Sequence, residues 1–129
     1  MERSAERLKE MKRIALKLAH VGINPDSPEE MKKMRFFLHD VLGMEETMET
    51  PVSWFGMDGK AELMKQEGRG RKGHLGFYTP DIKQAMEDLE KQGYTFDPAS
   101  ARYTEDGNLQ LIYLTEEIDG FAIHLTTME

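Results

Sequence analysis

Four histidines are the side chains of this 129-residue chain best suited to chemistry, and two of them sit in one repeated word. Ala19-His20-Val21-Gly22-Ile23 returns as Gly73-His74-Leu75-Gly76-Phe77. Apolar residues alternate with His and Gly, the period of a β-strand. His20 and Gly22 therefore share one face, and His74 and Gly76 share the equivalent face. Each half closes on a second shared word, Asp58-Gly59-Lys60-Ala61-Glu62-Leu63 in the first and Asp119-Gly120-Phe121-Ala122-Ile123-His124-Leu125 in the second. A strand histidine is thus followed, about forty to fifty residues on, by a Glu or His on a last strand. The four donors His20, Glu62, His74 and His124 suit a divalent ion such as zinc, or a six-coordinate ion that keeps waters. A lone strand histidine is more often packed and hydrogen-bonded with no ligand role. The repeat is what promotes these three. It also promotes Glu62, because an isolated Glu on a short strand belongs at the surface. His39 lies between Leu38 and Asp40 at the edge of a helical stripe and reads as a solvated surface residue.

The elements that must position these residues also come in two sets. Strand one runs from about Lys17 to Asn24. Ser27-Pro28-Glu29-Glu30 starts a helix, with Ser as N-cap, Pro at the first helical position and Glu for a capping box. Its expected buried stripe is Met31, Met34, Phe37, Leu38, Val41 and Leu42, and Gly43 ends it. Residues 47–57 and 61–66 supply strands around a turn at Asp58-Gly59. In the second half, Thr79-Pro80-Asp81 starts a helix with the stripe Ile82, Ala85, Met86 and Leu89, closed by Gly93. Strands are expected at 94–96, 101–105, 109–115 and 121–127, with a turn at Asp106-Gly107-Asn108. The reading is an α+β fold of two βαβββ modules, 16–66 and 73–127, joined by a linker at 67–72 within a domain of 16–129. Residues 1–15 form an added arm, with an amphipathic helix over 4–15 that presents Leu8, Met11 and Ile14. The linker spells G-x-G-x-x-G, but a strand and not a helix follows it, so a dinucleotide site is not inferred. Arg69, Arg71 and Lys72 within it are candidates for drawing in an anionic substrate.

Composition narrows the function classes. A formal charge of −7 argues against nucleic-acid and anionic-membrane surfaces. No apolar run is long enough to span a membrane, and the charged first residues do not read as a signal peptide. The absence of cysteine excludes disulfides, thiolate zinc sites and a cysteine nucleophile, and fits a cytoplasmic location. Ten methionines point to a plastic core or an adaptable surface. An apolar sheet face and the arm's sticky stripe suggest a homodimer.

These words resemble those of the vicinal oxygen chelate superfamily, which includes glyoxalase I, methylmalonyl-CoA epimerase, fosfomycin-resistance enzymes, extradiol dioxygenases and bleomycin-binding proteins. The resemblance covers about residues 16–127. Leu18-Ala19-His20-Val21-Gly22-Ile23-Asn24, Gly73-His74-Leu75-Gly76 and Ile118 to Leu125 look most like a small domain fused behind bacterial 2-keto-3-deoxy-6-phosphogluconate aldolases, a hint of a sugar-acid context. The resemblance implies paired βαβββ modules in a cupped mixed sheet, with a metal held by first-strand and last-strand residues of both modules. His20, Glu62 and His74 match ligand positions. His124 falls where most members place a glutamate, which leaves the site about one charge more positive. It also removes one of the two carboxylates that a two-base isomerisation uses, so Glu62 remains as ligand and base. A third histidine would fill a position that extradiol dioxygenases keep open.

The function this implies is a divalent-metal-dependent lyase or isomerase acting on a small α-hydroxy or α-keto compound. Zinc is the first choice of ion, and Ni, Co, Mn or Fe also suit the donors. Tyr78 shares a strand face with His74, and Tyr113 precedes the His124 strand. Both are candidates to orient substrate, although core packing with a bonded hydroxyl is the plainer reading of each. The alternative is a non-catalytic small-molecule binding or resistance module of the same fold.

Overall fold

The computed structural model describes Ile14 and residues 16–56, 59–65 and 68–128. Apart from Ile14, the arm helix expected over 4–15 lies outside the described residues. Eight strands form one mixed sheet: β1 (Lys17–Ile23), β2 (Glu46–Glu49), β3 (Ser53–Gly56), β4 (Ala61–Met64), β5 (Gly73–Tyr78), β6 (Arg102–Tyr103), β7 (Leu109–Tyr113) and β8 (Phe121–Thr126). Their order is β2-β3-β4-β1-β5-β8-β7-β6. The two halves mirror one another in this order. β1 runs parallel to β4, β5 runs parallel to β8, and β1 meets β5 antiparallel at the centre of the cupped sheet. Among the described residues no helix is long and apolar enough to cross a membrane.

Period-2 alternation sorts each strand between the two faces. Leu63, Ile112 and Leu125 face the helices, while their neighbours Glu62, Tyr113 and His124 face the other way. Helix α1 (Pro28–Arg35) covers Trp54 and Leu63 through Met31, and Trp54 and Leu63 are wholly buried. Helix α2 (Ile82–Glu90) covers Ile112 and Leu125 through Ile82 and Ala85, with Met86 and Leu89 packed alongside. Each fully buried Leu or Ile contributes about 2 kcal/mol. The helix signals act as their chemistry dictates. Ser27 Oγ accepts from Glu30 N at 3.2 Å, and Asp81 Oδ1 accepts from Gln84 N at 3.1 Å. Gly43 and Gly93, at φ +75 and +97, take the left-handed conformation that ends each helical segment.

Three expectations need refining. The stripe of the first helix is buried only at Met31 and half-buried at Leu38, whereas Met34, Phe37, Val41 and Leu42 are 37–58% exposed. The reason is local. The helix widens into a π-helical segment at Phe36–Val41, where Leu42 N bonds Phe37 O five residues back. Each such bond rotates the following side chains off the 3.6-residue stripe. Residues 94–96 form no strand, and only Phe96 bridges to Leu114. Residues 47–57 hold two strands, because Pro51 has no N–H for a ladder and Thr50 Oγ1 accepts from Ser53 N at 2.9 Å to make the turn.

Candidate metal centre

The central strand pair puts each copy of the repeated word against the other. His20 pairs with Gly76, and Gly22 pairs with His74. The parallel neighbours add Glu62 beside Gly22 and His124 beside Gly76. Four donor side chains therefore flank two residues that have none. The glycines are required sterically. A Cβ on Gly22 would lie 1.9 Å from His74 Cε1, and one on Gly76 would lie 2.7 Å from His124 Nε2 and 2.8 Å from His20 Cε1.

The imidazoles converge through their Nε2 atoms. His20 Nε2 is 3.1 Å from His74 Nε2 and 3.2 Å from His124 Nε2. Glu62 Oε1 closes on two of them, 3.0 Å from His74 Nε2 and 3.6 Å from His20 Nε2. His20, His74 and His124 offer donor atoms all within 4.8 Å of one another. Ligand bonds of 2.0–2.1 Å imply donor separations of about 2.9 Å at right angles and about 3.4 Å in a tetrahedron. The observed 3.1 and 3.2 Å fall between these. His74 Nδ1 is buried without a partner. A proton on His74 Nε2 suits Glu62 but leaves Nδ1 an orphan acceptor. A proton on Nδ1 turns the Nε2 lone pair toward those of its neighbours, a repulsion that a central cation relieves. These residues fit a divalent ion.

The electrostatics keep the donors available. Burial holds His20 below the ordinary imidazole range, and the neighbouring His74 pushes it the same way. Burial, then His20 and His74, push His124 down to about 3. Both rings are therefore neutral at pH 7, with lone pairs free to bind. For Glu62, burial pushes the pKa up, but hydrogen bonds from His74 and Ser53 and the charges of His74 and His20 bring it below the usual carboxylate value. It is ionised at pH 7.

Tyr113 pairs with His124 across β7 and β8, with ring centres 4.8 Å apart. Tyr78 stands on the His74 face but four residues along, about 13 Å away. No ring contact joins it to the cluster among the described residues. His39 is exposed, and its Nδ1 lies 2.9 Å from Met44 O. Sequence reasoning missed Ser53 and Phe55. β3 pairs with β4, so Phe55 lies opposite Glu62, and its ring stands edge-on to His20 at 6.1 Å. Only the strand register reveals them, although the run Ser53-Trp54-Phe55 already places Trp54 on the opposite face from its neighbours.

No family model matches the sequence, and no curated protein matches it. Solved structures do. A hypothetical protein from Bacillus halodurans aligns at TM-score 0.59 and 17% identity, over 88% of this chain and 94% of that one. Methylmalonyl-CoA epimerase from Mycobacterium tuberculosis aligns at TM-score 0.56 and 19% identity, over 92% and 93%. Homoprotocatechuate 2,3-dioxygenase from Brevibacterium fuscum aligns at TM-score 0.57 and 16% identity, over 86% of this chain and 32% of that one. The chain shares the fold of this epimerase and this dioxygenase, the fold that the resemblance to the vicinal oxygen chelate superfamily implies. On it, this chain presents a cluster of three histidines that could hold a divalent ion.

Proposed function

We propose that the chain is a divalent-metal-dependent lyase or isomerase acting on a small α-hydroxy or α-keto compound, in which a sugar acid is one candidate. The observation that carries this is the convergence of three imidazole Nε2 atoms and one ionised carboxylate in a single cluster. Folds like this one serve an epimerase and a dioxygenase, which favours an enzyme over a passive binder. His20, His74, His124 and Glu62 would hold the ion. When bound, it would polarise a substrate carbonyl and offset the negative charge that develops there.

The rest of the chemistry belongs to the chain. Among the described residues Glu62 is the one carboxylate at the cluster, so it is the base that takes a proton from the carbon beside that carbonyl. Ser53 and His74 hold it ionised for that step. Tyr113 presents its hydroxyl from β7 to orient substrate, and Phe55 walls the cup beside His20 and keeps water from it. Tyr78 would meet only a substrate that extends along β5.

The same reading takes 16–66 and 73–127 as modules, 67–72 as their linker, 1–15 as an arm, and a cytoplasmic homodimer as the working form. The exposed Phe36, Phe37 and Val41 support a covered surface. The test is a screen of small α-hydroxy and α-keto acids with zinc, nickel, cobalt, manganese and iron. Turnover that requires metal and is lost in Glu62→Gln is expected. Binding without turnover would make the chain a non-catalytic binding module instead.

A further inference from the structure

We propose that the substrate carries a carboxylate on or beside the carbon that bears its chelating oxygens, and that Arg102 receives it at the β6–β7 edge of the cup, flanked by Arg69 and the Tyr113 hydroxyl. This names the substrate class for the metal site above and rests on that reading.

Position is the first support. Arg102 pairs with Leu111, and Leu111 shares a strand face with Tyr113, whose ring lies against His124. Arg102 is exposed, and no ion-pair partner holds it among the described residues. The Tyr113 hydroxyl likewise makes no hydrogen bond among the described residues. Both are therefore open to a ligand in the cup.

Arg69 differs, because it is already fixed. Asn24 Nδ2 donates to Gly70 O at 2.6 Å and Gly68 O at 3.3 Å, which ties the linker to the end of β1. From there Arg69 reaches Asp97 at 2.5 Å and lays its guanidinium over the Tyr113 ring, 4.7 Å from its centre. Asp97 neutralises its charge and sets its plane. Arg69 thus shapes the wall, while Arg102 supplies the unneutralised charge.

Charge is the second support. The chain carries a net −7, yet the cup does not share that sign. The charged groups acting on Tyr113 are Glu62, Arg102 and Arg69, and Lys60 acts on His20 beside Glu62. Lys60 Nζ also donates to Leu18 O at 3.2 Å, at the other end of β1. Among the described residues Glu62 is thus the only carboxylate named among the groups acting on these two residues, and a divalent ion would leave the cup positive. An anionic substrate is drawn to such a site against the field of the whole protein.

The test uses the full chain loaded with cobalt, whose visible spectrum reports ligand binding without turnover. Glycolate and tartronate share an α-hydroxy acid head, and tartronate adds a second carboxylate on the same carbon. Arg102→Gln should lower the tartronate-to-glycolate affinity ratio about tenfold, the size of a charge-assisted hydrogen bond. Arg102→Lys should restore part of it, and Lys83→Gln, on the exposed face of α2, should leave it unchanged. Cobalt binding with an unchanged ratio in Arg102→Gln, or with no spectral response to either acid, overturns this proposal alone. Absence of cobalt binding overturns the metal reading and this proposal with it.

Discussion

Gly22 faces His74 across the β1–β5 pair, and the imidazole lies in the space that a side chain on Gly22 would fill. The repeated word works because its two copies pair antiparallel, so each places its histidine over the other's glycine. Gly22→Ala would set a methyl 1.9 Å from His74 Cε1, and His74 is only 4% exposed, so the ring must swing away from Glu62 and His20. Metal affinity should fall at least about tenfold, comparable to losing a partner that orients a ligand. Gly76→Ala meets His20 and His124 at 2.7–2.8 Å and should cost less. Isothermal titration with zinc compares the two, with circular dichroism to check the fold. Equal affinity in Gly22→Ala and the parent would show that this packing does not hold the ring.

The metal-free protein should lose stability in mild acid. Unfolded histidine titrates near 6.5, and folded His124 near 3. A lowered folded value means that the neutral form is favoured on folding, so the contribution is complete above pH 6.5 and lost as pH falls toward 3. His20 acts in the same direction, and Glu62 adds to the loss below about pH 4.5. At pH 5 His124 alone should cost up to about 2 kcal/mol relative to pH 7.5. Urea midpoints at the two pH values measure this. His124→Gln should shrink the difference, and an unchanged difference would mean that other groups carry it.

His124→Glu should keep the metal, because a carboxylate oxygen can replace an imidazole nitrogen as ligand. Zinc titration against a chelator of known affinity tests this. Loss of binding would show that the pocket beside Gly76 accepts only the imidazole.

The π-helical segment leaves Phe36, Phe37 and Val41 at 50–59% exposure, a group of apolar side chains that marks a candidate interaction surface. A homodimer should be seen by light scattering at micromolar concentration. Phe37→Glu with Val41→Glu should convert it to a monomer without lowering the thermal midpoint of the folded chain by more than a few degrees. A monomeric parent would remove the dimer from the picture.

Much of this architecture was legible because it rests on period and punctuation. The His-x-Gly alternation placed β1 and β5, Ser27-Pro28 and Thr79-Pro80-Asp81 marked helix starts, and Gly43 and Gly93 marked their ends. What was not legible depends on which strand lies beside which. Ser53 and Phe55 come beside the site only through the register of β3 with β4, and Arg102 is set opposite Leu111 only by that of β6 with β7. Tyr78 and Tyr113 looked equivalent as residues near histidines, yet pairing sets Tyr113 against His124 and leaves Tyr78 far along its strand. The exposed π-helical segment was hidden for another reason. Helical periodicity assumes 3.6 residues per turn, and nothing in Phe36-Phe37-Leu38-His39 announces a wider one.

The most direct measurement is a competitive metal titration of the parent beside His20→Ala, His74→Ala, His124→Ala and His39→Ala. The parent should bind one divalent ion per chain. Each of the first three variants loses an Nε2 from the cluster and should bind about tenfold more weakly or worse. His39→Ala removes contacts with Met44 O and the Trp54 ring, away from the cluster, and should bind as the parent does. A parent that takes up no metal, or a His39→Ala variant weakened as much as His74→Ala, would contradict the assignment of the cluster as a metal centre.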